Sequence, residues 1–179
     1  MLEKTKLVFL STLAPRKTLR IIQANPELDA SLLLAIVFPI SVIFKMLIDP
    51  QFDVISKILL LVGGITATLL SLVLFAHLLN WISGMFSKVD ASNTLRLAIP
   101  YSYVPGIVTI LLYAFVPGII TAWLRVIAFI WLLVLLTALL AELKKLDYLR
   151  SFVSVFVSML ILYLPVIIYK IIWLSVQSN

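Results

Sequence analysis

Cysteine is absent from this sequence, which excludes disulfides, thiolate metal sites and cysteine nucleophiles at once. Histidine occurs once, as His77, so no pair of imidazoles is available to hold a zinc ion. Charge is scarce as well: 12% of residues are Asp, Glu, Lys or Arg, against roughly 25% in soluble domains. Carboxylates are missing from the interior of every long apolar run. Glu142 and Asp147 flank one loop, and Asp49 and Asp53 lie in another. Proton- and ion-coupled transporters generally rely on buried carboxylates, and aspartyl catalysis within a membrane needs two. No glycine-rich phosphate loop occurs. These gaps speak against an enzyme, and against a resident cofactor or metal.

Apolar residues are abundant instead. They make up 63% of the chain, and the mean hydropathy is +1.19. A globule of 179 residues cannot hide that excess, because too much apolar surface would face water. Hydrocarbon is the fitting solvent. The net charge of +6 would suit nucleic acid only as an exposed basic stripe. Here the basic residues sit at the ends of apolar runs, the pattern of membrane proteins, so nucleic acid is not an expected partner. Lys4 and Lys6 before the run from Leu7 to Leu13 imitate a signal peptide. That run is of minimal length and Pro15 would follow the cut, so it is read as retained.

A spanning helix needs about 20 mostly apolar residues. The expected fold is therefore all-α: a polytopic membrane bundle of five transmembrane helices, at about 31–48, 60–83, 97–116, 120–141 and 151–173. A cytoplasmic basic segment, 1–30, precedes this 31–179 domain. The stretch from Leu97 to Ala141 carries only Arg125 as a charge and folds into two crossings at Val116-Pro117-Gly118, strong turn chemistry. The N-terminal segment and the second and fourth loops hold ten Lys and Arg, the opposite side four. The positive-inside rule then places the N-terminus in the cytoplasm and the C-terminus outside. Trp81, Trp123, Tyr148 and Trp173 fall near span ends, as interfacial aromatics should. Trp131 lies inside the fourth span and reads as a packing residue.

At about 100° per residue, Arg16, Lys17 and Arg20 cluster on one side of the stretch 15–24, with Leu19, Ile21 and Ile22 opposite. A short amphipathic helix on the anionic cytoplasmic leaflet is the natural reading, with membrane lipids as its partner. His77 and Asn80 share a face of the second span; they form either a polar ligand site or interhelical hydrogen bonds, and packing is favoured. The third span holds Pro100, Tyr101, Ser102, Tyr103, Pro105 and Gly106. Pro105 has no N–H for the Tyr101 carbonyl, so a side chain, water or ligand must satisfy it. Ser102 and Gly106 allow close helix approach. Gly63, Ala67 and Ser71, and likewise Ser151, Ser154 and Ser158, mark helix contact faces and admit a homo-oligomer or other membrane-protein partner.

The segment Pro15-Arg16-Lys17-Thr18-Leu19-Arg20-Ile21-Ile22, with Pro26 ahead of the first span, resembles the entry of prokaryotic Yip1-domain proteins. The third span, Ala98 to Pro105, resembles that family's "Ala-Tyr … Pro" stretch; Trp131 and the apolar fifth span also fit. The resemblance implies a five-helix membrane domain with a role in membrane organisation or trafficking, not catalysis. Eukaryotic members associate with Rab-type GTPases and carry an Asp-Leu-Tyr-Gly-Pro-like motif in a longer N-terminal region. This sequence shows neither, which points to a bacterial or archaeal plasma membrane. The leading expectation is a non-enzymatic scaffold, a closed bundle with no water-filled path and no substrate-sized cavity at the midplane. A small transporter, channel subunit or lipid-binding protein is the alternative, resting on the proline-interrupted spans. An enzyme acting on lipid is a weaker third.

Overall fold

A computed structural model describes residues 2–26, 29–113 and 119–177. The described residues form helices joined by short loops, with no strand among them. The elements are α1 (Leu2–Leu13), α2 (Pro15–Ala24), α3 (Ser31–Ile48), α4 (Val54–Gly84), α5 (Ser92–Ala98), a 3-10 turn (Ile99–Tyr103), α6 (Val104–Tyr113), α7 (Ile119–Lys144) and α8 (Tyr148–Gln177). Among the described residues, three stretches are long and apolar enough to cross a membrane: Val54–Gly84, Ala122–Lys144 and Tyr148–Pro165. The segment Ser31–Phe44 is a shorter apolar helix.

Most apolar side chains of these helices point outward. Leu59 is 67% exposed, Leu74 61% and Ile127 58%. Such a contiguous apolar exterior would aggregate in water and is ordinary against acyl chains. The main core sits near one end of the bundle, where Leu72, Phe75 and Leu79 of α4 meet Leu95 of α5, Leu136 and Leu140 of α7, and Val155 of α8.

Local chemistry explains the boundaries. Asp53 caps α4, its carboxylate accepting the Ser56 N–H at 2.7 Å. Asp29, one residue further out, holds the start of α3 by accepting from the Ser31 N–H at 2.9 Å and hydroxyl at 2.8 Å. The α7 helix ends at Lys145, which takes the left-handed conformation with φ 55°. The Leu146 N–H then closes back to the Ala141 carbonyl at 3.1 Å.

The region expected to form one third crossing is divided into α5, the 3-10 turn and α6. Pro100 and Pro105 each remove a backbone donor, so an uninterrupted α-helix is unavailable there. Two hydroxyls bond back to the backbone in this region: Ser102 donates to the Ile99 carbonyl at 2.6 Å, and Thr109 to that of Pro105 at 2.8 Å. The turn expected at Val116-Pro117-Gly118 lies outside the described residues, as does the Trp173 side chain.

Two of the small-residue faces behave as expected and one is offset. Ser151, Ser154 and Ser158 are fully buried, and Gly106 approaches the Phe38 ring so closely that an added Cβ would sit 3.4 Å from it. On α4, however, Gly64 faces Pro39 and Ile43 of α3, while Gly63 and Ala67 are exposed. One residue is a 100° rotation on a helix, enough to turn the glycine–alanine face outward.

Candidate functional site

The polar side chains gather at one end of the bundle and tie its loops together. Lys144, at the C-terminus of α7, is 2% exposed. Its ammonium donates to the Val89 carbonyl and, at 3.4 Å, to that of Asn80. Its own carbonyl accepts the Ser87 hydroxyl at 2.9 Å. A cation at the negative end of the helix macrodipole is favourably placed. The Asn80 amide closes the same loop, donating to Asp90 at 3.0 Å and accepting the Ala91 N–H at 3.1 Å. Asp90 also accepts the Ser92 N–H at 3.0 Å. Hydrogen bonds from Ser92, backbone first, hold the Asp90 carboxyl below its ordinary value.

His77 stands three residues before Asn80 but makes a different contact. Its exposed ring meets the Arg96 guanidinium of α5. Both residues therefore pair with neighbouring segments of the fold, one with α5 and one with the loop before it.

Tyr101 pins the start of α3. Its hydroxyl donates to Asp29 at 3.0 Å and accepts the Ala30 N–H at 2.7 Å. Ser102, next along, is fully buried. Tyr103 points elsewhere, its ring stacked on Phe38 with centroids 4.7 Å apart. Pro105, half-buried, opens α6. Tyr103 also borders a small cavity of about 150 Å³ with Phe38, Thr68, Phe75 and Tyr163. Beside it, sharing Phe38, Phe129 and Tyr163, lies a cavity of about 440 Å³ between α3, α6, α7 and α8. His77, Asn80, Tyr101 and Tyr103 do not line this larger cavity. The short residues Gly106, Ser41 and Ala128 on its walls leave the space open.

The amphipathic helix α2 places its apolar side on protein. Leu19 packs with Ala98 and Leu139, and Ile22 joins Leu7, Leu34 and Tyr101. Two of its three basic residues face the end of α7 as well. Arg20 donates to Glu142 at 2.7 and 2.9 Å. Arg16 lies 3.8 Å from the same carboxylate and stacks over the Tyr148 ring at 4.7 Å. Lys17 alone of the three is exposed with no such partner. The packing role read for Trp131 has a specific form: its indole N–H donates to the Thr12 carbonyl at 3.1 Å, joining α7 to α1.

Asp29, Glu142 and Lys144 anchor these networks, and none stood out as an anchor from sequence. A signal existed for Asp29, since Asp-Ala-Ser ahead of an apolar run is a helix start. Glu142 and Lys144 carried no comparable signal beyond charge at a helix end. No curated protein and no solved structure matches the chain. The Yip1 domain matches residues 10–169, a span that takes in α2, the Tyr101 anchor, the cavity walls and the Lys144 clamp; the chain belongs to the Yip1-domain family.

Proposed function

We propose that this protein is a non-enzymatic scaffold of membrane organisation or trafficking, crossing a bacterial or archaeal plasma membrane five times. Its N-terminus is cytoplasmic and its C-terminus is outside. The crossings are α3, α4, the α5–α6 region, α7 and α8, and α2 rests against the cytoplasmic end of the bundle.

One observation carries the topology. The three segments that hold ten of the fourteen Lys and Arg are bonded to one another: α2 to the end of α7 through Arg20 and Glu142, and the 85–91 loop to Lys144 through Ser87 and Val89. Segments so joined share one side of the bilayer, and their basic excess marks that side as cytoplasmic. The scaffold role is supported by where the polar groups are used. His77, Asn80, Tyr101, Arg16 and Arg20 all bond within the fold, holding helices and loops in place. Lys17 remains available to anionic headgroups, and the exposed Gly63–Ala67 face is where a second copy or another membrane protein would approach closely.

The absence of cysteine makes the topology directly testable. Single variants Lys17→Cys, Gln51→Cys and Lys88→Cys are labelled in intact cells with a membrane-impermeant maleimide. Gln51→Cys should react, and the other two only after permeabilisation. Equal reactivity of Gln51→Cys and Lys88→Cys would refute an odd number of crossings between them.

A further inference from the structure

We propose that the second half of α1, residues 7–13, is a membrane-inserted wedge that presents Phe9 and Leu13 to the acyl chains of the cytoplasmic leaflet. This rests on the reading of the chain as crossing a bilayer. It takes part of α1 out of the cytoplasm, where the sequence alone places residues 1–30.

Polarity in α1 is divided along its axis. Glu3, Lys4, Thr5 and Lys6 occupy the first half, and Leu-Val-Phe-Leu-Ser-Thr-Leu the second. A helix lying flat on a leaflet divides its polarity between two faces instead. Division along the axis suits a helix that enters the surface obliquely, one end among the headgroups and the other below them. The polar half is held at the start of α3, where the Lys4 ammonium donates to the Asp29 carbonyl at 3.4 Å.

The apolar half is held at a deeper level. Glu142, with Arg16, Arg20 and Lys145 around it, marks the cytoplasmic boundary on α7. Trp131 lies about 16 Å along α7 from Glu142 at the helical rise of about 1.5 Å per residue, near the middle of a hydrocarbon layer about 30 Å thick. Its indole N–H donates to the Thr12 carbonyl at 3.1 Å. An indole is much shorter than that depth, so Thr12 lies well below the headgroups. Leu7 agrees: it shares a buried cluster with Leu34, Val104 and Ile107, against which Phe38 of α3 packs. Phe38 is about 10 Å along α3 from Ser31 by the same rise.

Bonding at the turn into α2 meets what hydrocarbon demands of a backbone. The Leu10 carbonyl accepts the Ala14 N–H at 2.7 Å, and the Ala14 carbonyl the Thr18 N–H at 3.0 Å. Pro15 brings no N–H to satisfy. The Ser11 and Thr12 hydroxyls donate to the Val8 and Phe9 carbonyls at 2.6 and 2.7 Å. Phe9 and Leu13, one helical turn apart, are left 62% and 80% exposed. Water would penalise that apolar face, whereas at the level of Thr12 its neighbours are acyl chains. A soluble partner does not reach this depth.

The test uses the absence of native cysteine. Single variants Lys6→Cys, Phe9→Cys, Leu13→Cys and Leu70→Cys of the full chain carry a nitroxide label. They are reconstituted in phosphatidylcholine–phosphatidylglycerol vesicles with a nickel chelate on both sides. Oxygen concentrates in the acyl layer and the chelate in water, so the ratio of their collision rates with the label reads depth. Leu70, exposed in the middle of α4, is the acyl-layer reference, and Lys6 is the headgroup reference. Labels at positions 9 and 13 should match position 70 and exceed position 6 severalfold. A ratio at 9 and 13 as low as at 6, with 70 high, overturns the proposal and leaves the bilayer crossing intact. Labels at 9 and 13 closed to both reagents also overturn it, because protein would then cover this face. A low ratio at position 70 as well would refute the bilayer reading itself, and the wedge with it.

Discussion

Replacing Tyr101 by Phe removes one oxygen and two hydrogen bonds. The Asp29 carboxylate loses the Tyr101 hydroxyl but keeps the Ser31 N–H and hydroxyl, so it remains satisfied. The Ala30 N–H is less fortunate. It points at the Tyr101 oxygen at 2.7 Å, and Ala30 is 4% exposed. Water cannot readily replace the lost acceptor, and a stranded buried donor costs about 1–3 kcal/mol. The ring still fills the cluster of Leu7, Ile22, Leu34 and Val104, so no cavity term adds to this. The expected loss is about 2 kcal/mol, or about thirtyfold in the unfolding equilibrium. Titration of the protein in mixed micelles with dodecyl sulfate, followed by helical circular dichroism, measures it. Tyr103→Phe is the control, because Tyr103 is held by stacking on Phe38. Were Tyr101→Phe to unfold at the wild-type midpoint, or Tyr103→Phe to lose as much, the anchoring of α3 by this hydroxyl would be refuted.

Three further outcomes follow from single groups. Lys145 holds φ at 55°, and in its 3.6 Å pair with Glu142 the lysine is exposed while the carboxylate keeps its closer bonds to Arg20; Lys145→Gly should therefore stabilise the same titration by about 0.5–1 kcal/mol, and a loss would refute the strain argument. Ser151 is fully buried and its hydroxyl has no partner among the described residues, so Ser151→Ala should leave the midpoint unchanged or raise it by up to about 1 kcal/mol. The Asp90 carboxyl is held below its ordinary 3.8 mainly by the Ser92 N–H. A depressed carboxyl contributes stability above its ordinary value and loses it as pH falls through the folded one. Wild type should thus lose more stability than Asp90→Asn between pH 5 and about pH 3, and parallel pH profiles would refute the clamp.

The long apolar runs around residues 58–87, 120–141 and 151–173 were legible because a twenty-residue hydrophobic stretch has few uses other than crossing a bilayer. α4, α7 and α8 overlap those runs. Pro100 and Pro105 also gave notice of trouble in the third region, but not of its outcome. Two missing donors say that a helix must break, while the choice of a 3-10 turn depends on what packs around it. Periodicity alone does not say which of two adjacent faces of α4 meets α3; Gly64 does, one rotation from the Gly63 and Ala67 face. The hydrogen bonds of Tyr101, Asn80 and Lys144 join residues far apart in the chain. Local pattern holds no record of such pairs. The same is true of Arg20 and Glu142: each was visible as a charge, and only the fold makes them neighbours. The amphipathicity of α2 suggested a helix lying on the anionic leaflet; in the fold Leu19 lies on Leu139 and Ala98, a protein surface that local periodicity does not distinguish from lipid.

The distribution of these bonds predicts an uneven stability along the bundle normal. At the end carrying Glu142, buried side chains from α4, α5, α7 and α8 form one continuous cluster, and the Asn80, Lys144 and Tyr101 contacts close the loops over it. At the end carrying Arg125, α3, α6, α7 and α8 stand around an open cavity. Local opening is easiest where few buried apolar contacts must be lost. Amide exchange in detergent should therefore be slowest in α4 between Leu72 and Ser83 and in α7 between Leu135 and Ala141, where buried residues concentrate. It should be faster in the half of α7 that holds Arg125 and in α6. Uniform protection along α7 would show that the cavity does not loosen its walls.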